Sequence, residues 1–297
     1  MKKADIRDRL SKITVWKRDG QRAPHKPLLA LYALGRYSRG EGRLISYAEV
    51  DRDLRELLVE FGPQRQSYHP EYPFWRLRND GVWEVSNAEN LGLRKSSSDA
   101  KKSELLKHDV HGGFKKEIYD KVVRDKGFLA QIAQDLLEAN FPSTIHEDIL
   151  QAVGLDLDME TATTTKRSPL FRENVLRAYE YCCAVCGFNV RVGNALVALE
   201  AAHIKWFQAG GPDKEVNGVA LCTMHHKLFD RGAFSLDESM KVQVSERAHG
   251  TGLTEWLTDF HGREIHLPQR PSYYPKPQFV DWHIREVFQG PSRHDNT

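Results

Sequence analysis

The 297-residue sequence contains only four cysteines, all of them between Cys182 and Cys222. A disulfide framework would spread its cysteines along a chain of this size, so the clustering points to a metal site instead. No run of eighteen apolar residues occurs, which excludes an apolar membrane-spanning helix. Residues 1–10 do not place an apolar stretch after a basic one, so no secretory signal is expected and the protein is expected in the cytoplasm. A large excess of one charge is missing as well, with 43 lysines and arginines against 41 acids. That near balance conceals an uneven distribution: residues 1–110 hold 22 basic against 16 acidic side chains, residues 111–165 hold 5 against 10, and residues 166–297 hold 16 against 15. The N-terminal part is therefore the one whose surplus positive charge can face a polyanion.

A chain of 297 residues is long for one core and suits two. Residues 24–40 predict a helix entered through Pro27, with Leu28, Leu31 and Tyr32 on one stripe. Ser46 and Glu49 form a capping box for a second helix, whose apolar face is Val50, Leu54, Leu57, Leu58 and Phe61 and whose stop is Gly62. The period then changes to two. Residues 74–78 and 82–85, around the turn Asn79-Asp80-Gly81, predict a β-hairpin with Trp75 and Leu77 on one face and Arg76 and Arg78 on the other. Two helices and such a hairpin make either a winged-helix-like reader or half of a small α/β core. Residues 94–107 predict a polar loop, residues 114–123 and 128–137 predict helices, and Thr144 with Glu147 offers another capping box ahead of Ile149 and Val153. Residues 156–167 lack large apolar groups, which divides the chain into a first domain at 1–158, a linker at 159–169 and a second domain at 170–297. The second domain opens with a helix carrying Phe171, Val175, Leu176 and Tyr179.

The strongest local signal is Cys183-x-x-Cys186 followed by Cys222-x-x-His225, two ligand pairs that can close a tetrahedral structural zinc site. Cys182 is an alternative to Cys183, although the two-residue spacer before Gly187 favours Cys183. Between the pairs lie a strand-like run ending in Glu200-Ala201-Ala202-His203 and a turn at Asn217-Gly218, and His226 adjoins the ligand His225. This order of His, Asn and His around a zinc knuckle resembles the HNH nucleases of the ββα-metal class, and residues 217–237 resemble the McrA-related restriction branch. The resemblance runs from about Phe171 to Phe288. It implies that His203 is the general base, that His226 ligates a catalytic divalent ion (Mg2+ or Mn2+), and that Asn217 either holds the loop that orients His203 or joins the metal shell. Many family members carry a metal ligand immediately before the base, where this chain has Ala202. Strand alternation puts Glu200 on the side of Ala202 and opposite His203, so the Glu200 carboxylate can take the missing place. Asp230 and Arg231 either form an ion pair with each other or bind phosphate, while Lys205 and Trp206 either line DNA or, for Trp206, pack.

The segments HKPLLALYALG (25–35) and YPFWRLRNDGVWEV (72–85) resemble the sulfur-binding domain of McrA-like type IV restriction endonucleases that act on phosphorothioated DNA. Sulfur in place of a non-bridging phosphate oxygen keeps the charge but is larger, more polarisable and less well hydrated, so a discriminating site pairs an apolar cup with nearby cations. The resemblance implies Tyr72 and Pro73 as the cup, Tyr68, His69 and Pro70 as a second wall, and His25, Lys26, Arg76 and Arg78 as contacts to flanking phosphates and bases.

The sequence thus predicts an α/β (α+β) protein with a helix-rich N-terminal DNA-reader domain bearing a β-hairpin and a C-terminal ββα-metal (HNH) nuclease domain with structural zinc. The expected activity is endonucleolytic cutting of double-stranded DNA carrying phosphorothioates, without a membrane partner. Cutting both strands needs two active sites or two visits, which suggests a homodimer. One alternative is an HNH enzyme reading a methylated base through an aromatic pocket; another is a non-catalytic DNA-binding protein with a degenerate HNH fold, favoured only by Ala202.

Overall fold

The computed structural model describes residues 1–13, 21–89, 91–92, 94, 98–157 and 169–294. The described residues up to 157, Gln21 apart, form one compact unit, and those from 169 on form a second. The expected linker falls on residues outside the described ones except for Pro169.

In the first unit the elements are α1 (Lys3–Ser11), α2 (His25–Ser38), β1 (Ile45–Ser46), α3 (Tyr47–Phe61), α4 (Glu71–Arg76), β2 (Trp83–Ser86), α5 (Lys102–Lys107), β3 (His111–Phe114), α6 (Lys116–Arg124), α7 (Lys126–Asn140) and α8 (His146–Ala152). Helix α2 is the centre. Every residue from Pro27 to Gly35 is buried, as expected of a helix that is apolar all round and must be enclosed. Helices α3, α4, α6 and α7 pack against it. Gly35 is required there, because a Cβ on it would stand 2.1 Å from the Val153 carbonyl oxygen. The Ser46–Glu49 capping box opens α3 as the sequence predicts, with the Ser46 hydroxyl accepting from the Glu49 backbone N–H at 3.3 Å and the Glu49 carboxylate accepting from the Ser46 N–H at 3.3 Å.

The expected hairpin at 74–85 is not formed. Glu71–Arg76 is helical, Leu77–Asp80 is a 3-10 turn, Gly81 adopts a left-handed φ of 74°, and only Trp83–Ser86 is a strand. The run Phe-Trp-Arg-Leu-Arg satisfies both periods: Glu71, Phe74, Trp75 and Leu77 recur at the three-and-four spacing of a helix, and all four are buried. Pro73 sits in the first helical turn, where its missing N–H costs no hydrogen bond. Strand β2 pairs instead with β3, which also pairs with β1, giving an antiparallel sheet in the order β1-β3-β2. Residues 102–107 form a helix around buried Leu105 rather than a loop. Phe114 belongs to β3, so the helix expected from that residue starts at Lys116. The Thr144 cap is also replaced, because Ser143–Ile145 already winds as a 3-10 turn and Ile145 becomes the cap of α8 without a side-chain bond.

The second unit contains α9 (Pro169–Ala178), β4 (Arg191–Val192), β5 (Ala195–Leu196), β6 (Leu199–His203), β7 (Gly218–Cys222), α10 (Thr223–Asp230), β8 (Phe234–Leu236), β9 (Val242–Val244), α11 (Leu253–Trp256) and α12 (Pro277–Glu286). Strands β6 and β7 are antiparallel, with Leu199 opposite Cys222 and His203 opposite Gly218, and α10 follows β7 without a break. This ββα unit is the frame for everything below. Phe171, Val175 and Leu176 on α9 are buried in the same core as β6 and β7, and the Arg172 guanidinium donates to the Leu199 carbonyl at 3.0 Å. Among the described residues no helix is long and apolar enough to cross a membrane.

Candidate functional site

The sulfurs of Cys183, Cys186 and Cys222 and a ring nitrogen of His225 lie within 4.8 Å of one another. Local structure explains the convergence. The turn after Cys183 is closed by Gly187, whose N–H donates to the Cys183 carbonyl at 2.8 Å with a φ of 71°. Cys222 caps α10 and His225 sits in its first turn, so the second pair faces the same point. The Ala184 N–H, donating to the Ala220 carbonyl at 2.8 Å, ties the knuckle to β7. Cys182 stays outside, its sulfur 3.5 Å from the Glu180 carbonyl oxygen. The His225 Nε2 lies 2.8 Å from the Trp256 carbonyl oxygen, which fixes that nitrogen as the donor and turns Nδ1 toward the thiols. Cys186 and Cys222 push the Cys183 thiol up, while Cys183 and Cys186 pull the Cys222 thiol down. A divalent cation among them would remove that conflict, and zinc bonds of about 2.0–2.3 Å suit the spacing after a small contraction.

On the strand side, the Glu200 carboxylate lies 2.6 Å from Nδ1 of His226, and the Asp230 carboxylate lies 3.2 Å from Nε2 of the same ring. Burial by itself would push His226 down, but Asp230 and Glu200 more than offset it and raise the pKa to about 9. His226 and Asp230 are each 2% exposed at the side chain, whereas Glu200 is 41% exposed. Two carboxylates on one imidazole, one of them facing water, make a negative site where a cation can replace the proton. Asp230 also accepts from the Trp206 indole N–H at 3.0 Å, and Trp206 packs on Trp282. Asp230, for which the sequence left an ion pair or phosphate binding open, supports His226.

His203 lies on the opposite face of β6 from Glu200. Its ring stacks on Phe171 with centroids 3.9 Å apart and planes 12° apart, and its Nε2 is 2.8 Å from Asp213. Asn217 is fully buried, donates to the Lys205 and Pro212 carbonyls at 3.0 and 3.1 Å, and accepts from the Lys205 N–H at 2.8 Å. Of the two roles open to it in the sequence, holding the loop is the one its hydrogen bonds occupy. Asp213 escaped the sequence reading because nothing local marks a loop aspartate ten residues from its histidine.

In the first unit, Tyr72 stands among cations and a histidine: Arg76 is 4.7 Å and Arg94 5.2 Å from its ring centroid, and the His69 ring is 5.4 Å away. Glu71, buried, binds His69 at 3.1 Å and Arg94 at 3.3 Å. Arg76 makes two bonds to Asp99, at 2.8 and 2.6 Å. Arg78 lies over the Trp75 ring at 3.5 Å, and its Nε is buried without a hydrogen-bond partner. Burial pushes the Arg78 pKa down, with Asp99 opposing. Lys26 pairs with Asp80 at 2.5 Å. Burial first, then Arg65, Arg22 and His69, push His25 down to about 4, so it is neutral at physiological pH. The Tyr68 carbonyl accepts from Arg55 at 3.3 Å. Pro70 and Pro73 are buried, while His69 and Arg76 are exposed and Tyr68 and Tyr72 are half-buried. The accessible part of the expected cup is therefore Tyr72 and its surroundings rather than the prolines.

Residues 3–158 match the model of the ScoMcrA-like DNA sulfur-binding domain, and residues 183–237 match that of an HNH endonuclease. No curated protein matches. Similar solved structures include the sulfur-binding domain of ScoMcrA complexed with phosphorothioated DNA, at 24% identity over 50% of this chain and 94% of that one, with a TM-score of 0.45. The sulfur-binding domain of SprMcrA complexed with phosphorothioated DNA is 20% identical over 52% of this chain and 95% of that one, with a TM-score of 0.45. The type IV phosphorothioation-dependent restriction endonuclease ScoMcrA is 23% identical over 50% of this chain and 28% of its own, with a TM-score of 0.43.

Removing the Asn217 side chain strands three backbone groups in the loop. Asn217→Ala is expected to lower the stability of the chain by about 1–3 kcal/mol, read by urea unfolding; an unchanged midpoint would contradict the loop-holding role.

Proposed function

The chain belongs to the family defined by the ScoMcrA-like DNA sulfur-binding domain and carries an HNH endonuclease domain beside it, and from that premise we propose that it cuts double-stranded DNA bearing backbone phosphorothioates. The observation that carries the nuclease half is the convergence of Glu200 and Asp230 on His226, which supplies the acidic ligand that Ala202 does not. Glu200 and His226 would hold a divalent ion, Mg2+ or Mn2+, which when bound stabilises the charge on the attacked phosphate and the leaving oxygen. Asp230 orients His226 from behind. His203 takes the proton of the attacking water, and Asn217 keeps the strand end and its loop in register. Cys183, Cys186, Cys222 and His225 would hold zinc as a structural ion, which can contribute on the order of 10 kcal/mol to folding a segment of this kind.

In the reader, Tyr72 offers the apolar surface that sulfur prefers, with Pro70 and Pro73 buried beneath it as support and Tyr68 and His69 as the neighbouring wall. Arg76 and Arg94 flank it, and Arg78 stands over the Trp75 ring. Arg78 is the better placed to contact a base or phosphate, because its guanidinium, stacked on Trp75 with Nε lacking a partner, gains by donating to a phosphate or carbonyl oxygen. His25 donates or accepts as a neutral ring, and Lys26 exchanges Asp80 for phosphate or stays as the floor of the site. Two copies acting together would cut both strands, in the cytoplasm where incoming DNA arrives; light scattering of the DNA complex should give the mass of two chains, and a single-chain mass would refute the dimer.

With Mg2+ or Mn2+, the protein is expected to cut a duplex carrying a stereodefined phosphorothioate and to spare matched unmodified and methylated duplexes. His203→Ala should abolish cutting while binding persists. Equal cutting of all duplexes would discard the sulfur reader, preference for the methylated one would favour a base reader, and binding without cutting by the unaltered protein would discard the nuclease. Cys222→Ser is expected to lose zinc, measured by elemental analysis, together with thermal stability; full stability in the zinc-free protein would contradict the structural role.

A further inference from the structure

Asp213 lies on the loop between β6 and β7, and its carboxylate oxygen is 2.8 Å from Nε2 of His203. A carboxylate can only accept, so the proton of the neutral ring sits on Nε2 and the lone pair is on Nδ1. Phe171 fixes the plane of the same ring by stacking at 3.9 Å. The loop itself is not free to drift. Asn217 donates to the carbonyl of Pro212, the residue immediately before Asp213, at 3.1 Å and to that of Lys205 at 3.0 Å, while the Ile204 N–H donates to the Asn217 carbonyl at 2.9 Å. Gly211 makes the closure possible, since a Cβ on it would stand 1.8 Å from the Lys205 carbonyl oxygen.

We propose that Asp213 is the positioning residue of the general base, holding Nε2–H so that His203 receives the water proton at Nδ1. This rests on the reading of His203 as the base. In the step, an O–H bond of water breaks and its proton goes to Nδ1, the water oxygen bonds to phosphorus, and one P–O ester bond breaks. The leaving oxygen takes a proton from solvent, and the imidazolium later returns its own to solvent. Throughout, the Asp213 carboxylate faces the positive ring, so the charge formed on His203 is stabilised where it appears.

The test uses the full-length protein, a phosphorothioated duplex and Mn2+, with steady-state cleavage, DNA binding and melting temperature measured for Asp213→Asn and Asp213→Ala beside His203→Ala. Asparagine is nearly isosteric and preserves the loop packing, yet carries no charge. Both Asp213 variants are expected to lose on the order of 10- to 100-fold in kcat, part of the 10²–10⁴-fold a general base supplies, with KM, DNA affinity and melting temperature unchanged. Wild-type kcat in both variants, with His203→Ala inactive, overturns the proposal and leaves the base assignment standing. A kcat loss accompanied by a lowered melting temperature or weakened binding in Asp213→Asn also overturns it, in favour of a scaffold role. Full cutting by His203→Ala, or none by the unaltered protein, brings down the assignment on which the proposal rests and the proposal with it.

Discussion

The antiparallel pairing of Leu199–His203 with Gly218–Cys222 is the constraint from which the second unit takes its arrangement. Its register places Cys222 at one end, where the helix begins and the knuckle closes, and Gly218 at the other, opposite His203. Gly218 is needed there: a Cβ would stand 2.4 Å from Val175 and 3.3 Å from the Phe171 ring that stacks on His203. Because side chains alternate along a strand, a slip of one residue would turn Glu200 away from His226 and move His203 to the opposite face of the strand. Buried β7, enclosed on both faces, holds this register through its apolar residues.

The same physics explains what could be read from the sequence. Short-range patterns with a fixed mechanism were legible: the Ser46–Glu49 box, the helix after Pro24 with its one stripe though not its complete enclosure, the two ligand pairs of the knuckle and the strand alternation that separates Glu200 from His203. Patterns compatible with two periods were not. Residues 74–78 alternate like a strand, but the buried set that includes Glu71 is helical, and a buried glutamate is legible only once His69 and Arg94 are seen around it. Asp213 belongs to a third class: it meets His203 through a contact made by the loop, and an isolated loop aspartate gives no sign of such a partner. Asp230 was singled out for other roles, although its place four residues after His226 on one helix carries the contact.

The first unit spends its charges largely on itself. Lys26, Arg76 and Arg94 each face an acid, and burial holds His25 neutral. The surplus of 22 basic over 16 acidic side chains in residues 1–110 is already net of these acids and survives the pairing, but these three cations meet a polyanion only in competition with their carboxylates. Discrimination in such a surface comes from geometry, through which aromatic face is accessible and which guanidinium stands on it, more than from net attraction.

His225 and His226 are neighbours in the first turns of one short helix, yet one faces the cysteine knuckle and the other the carboxylates of Glu200 and Asp230. Adjacent positions on a helix diverge by about 100°, so a single inserted or deleted residue between Cys222 and His226 would misdirect both. The knuckle and the candidate ion site are consequently one mechanical unit, in which the spacing from Cys222 to His226 is as constrained as the ligands themselves.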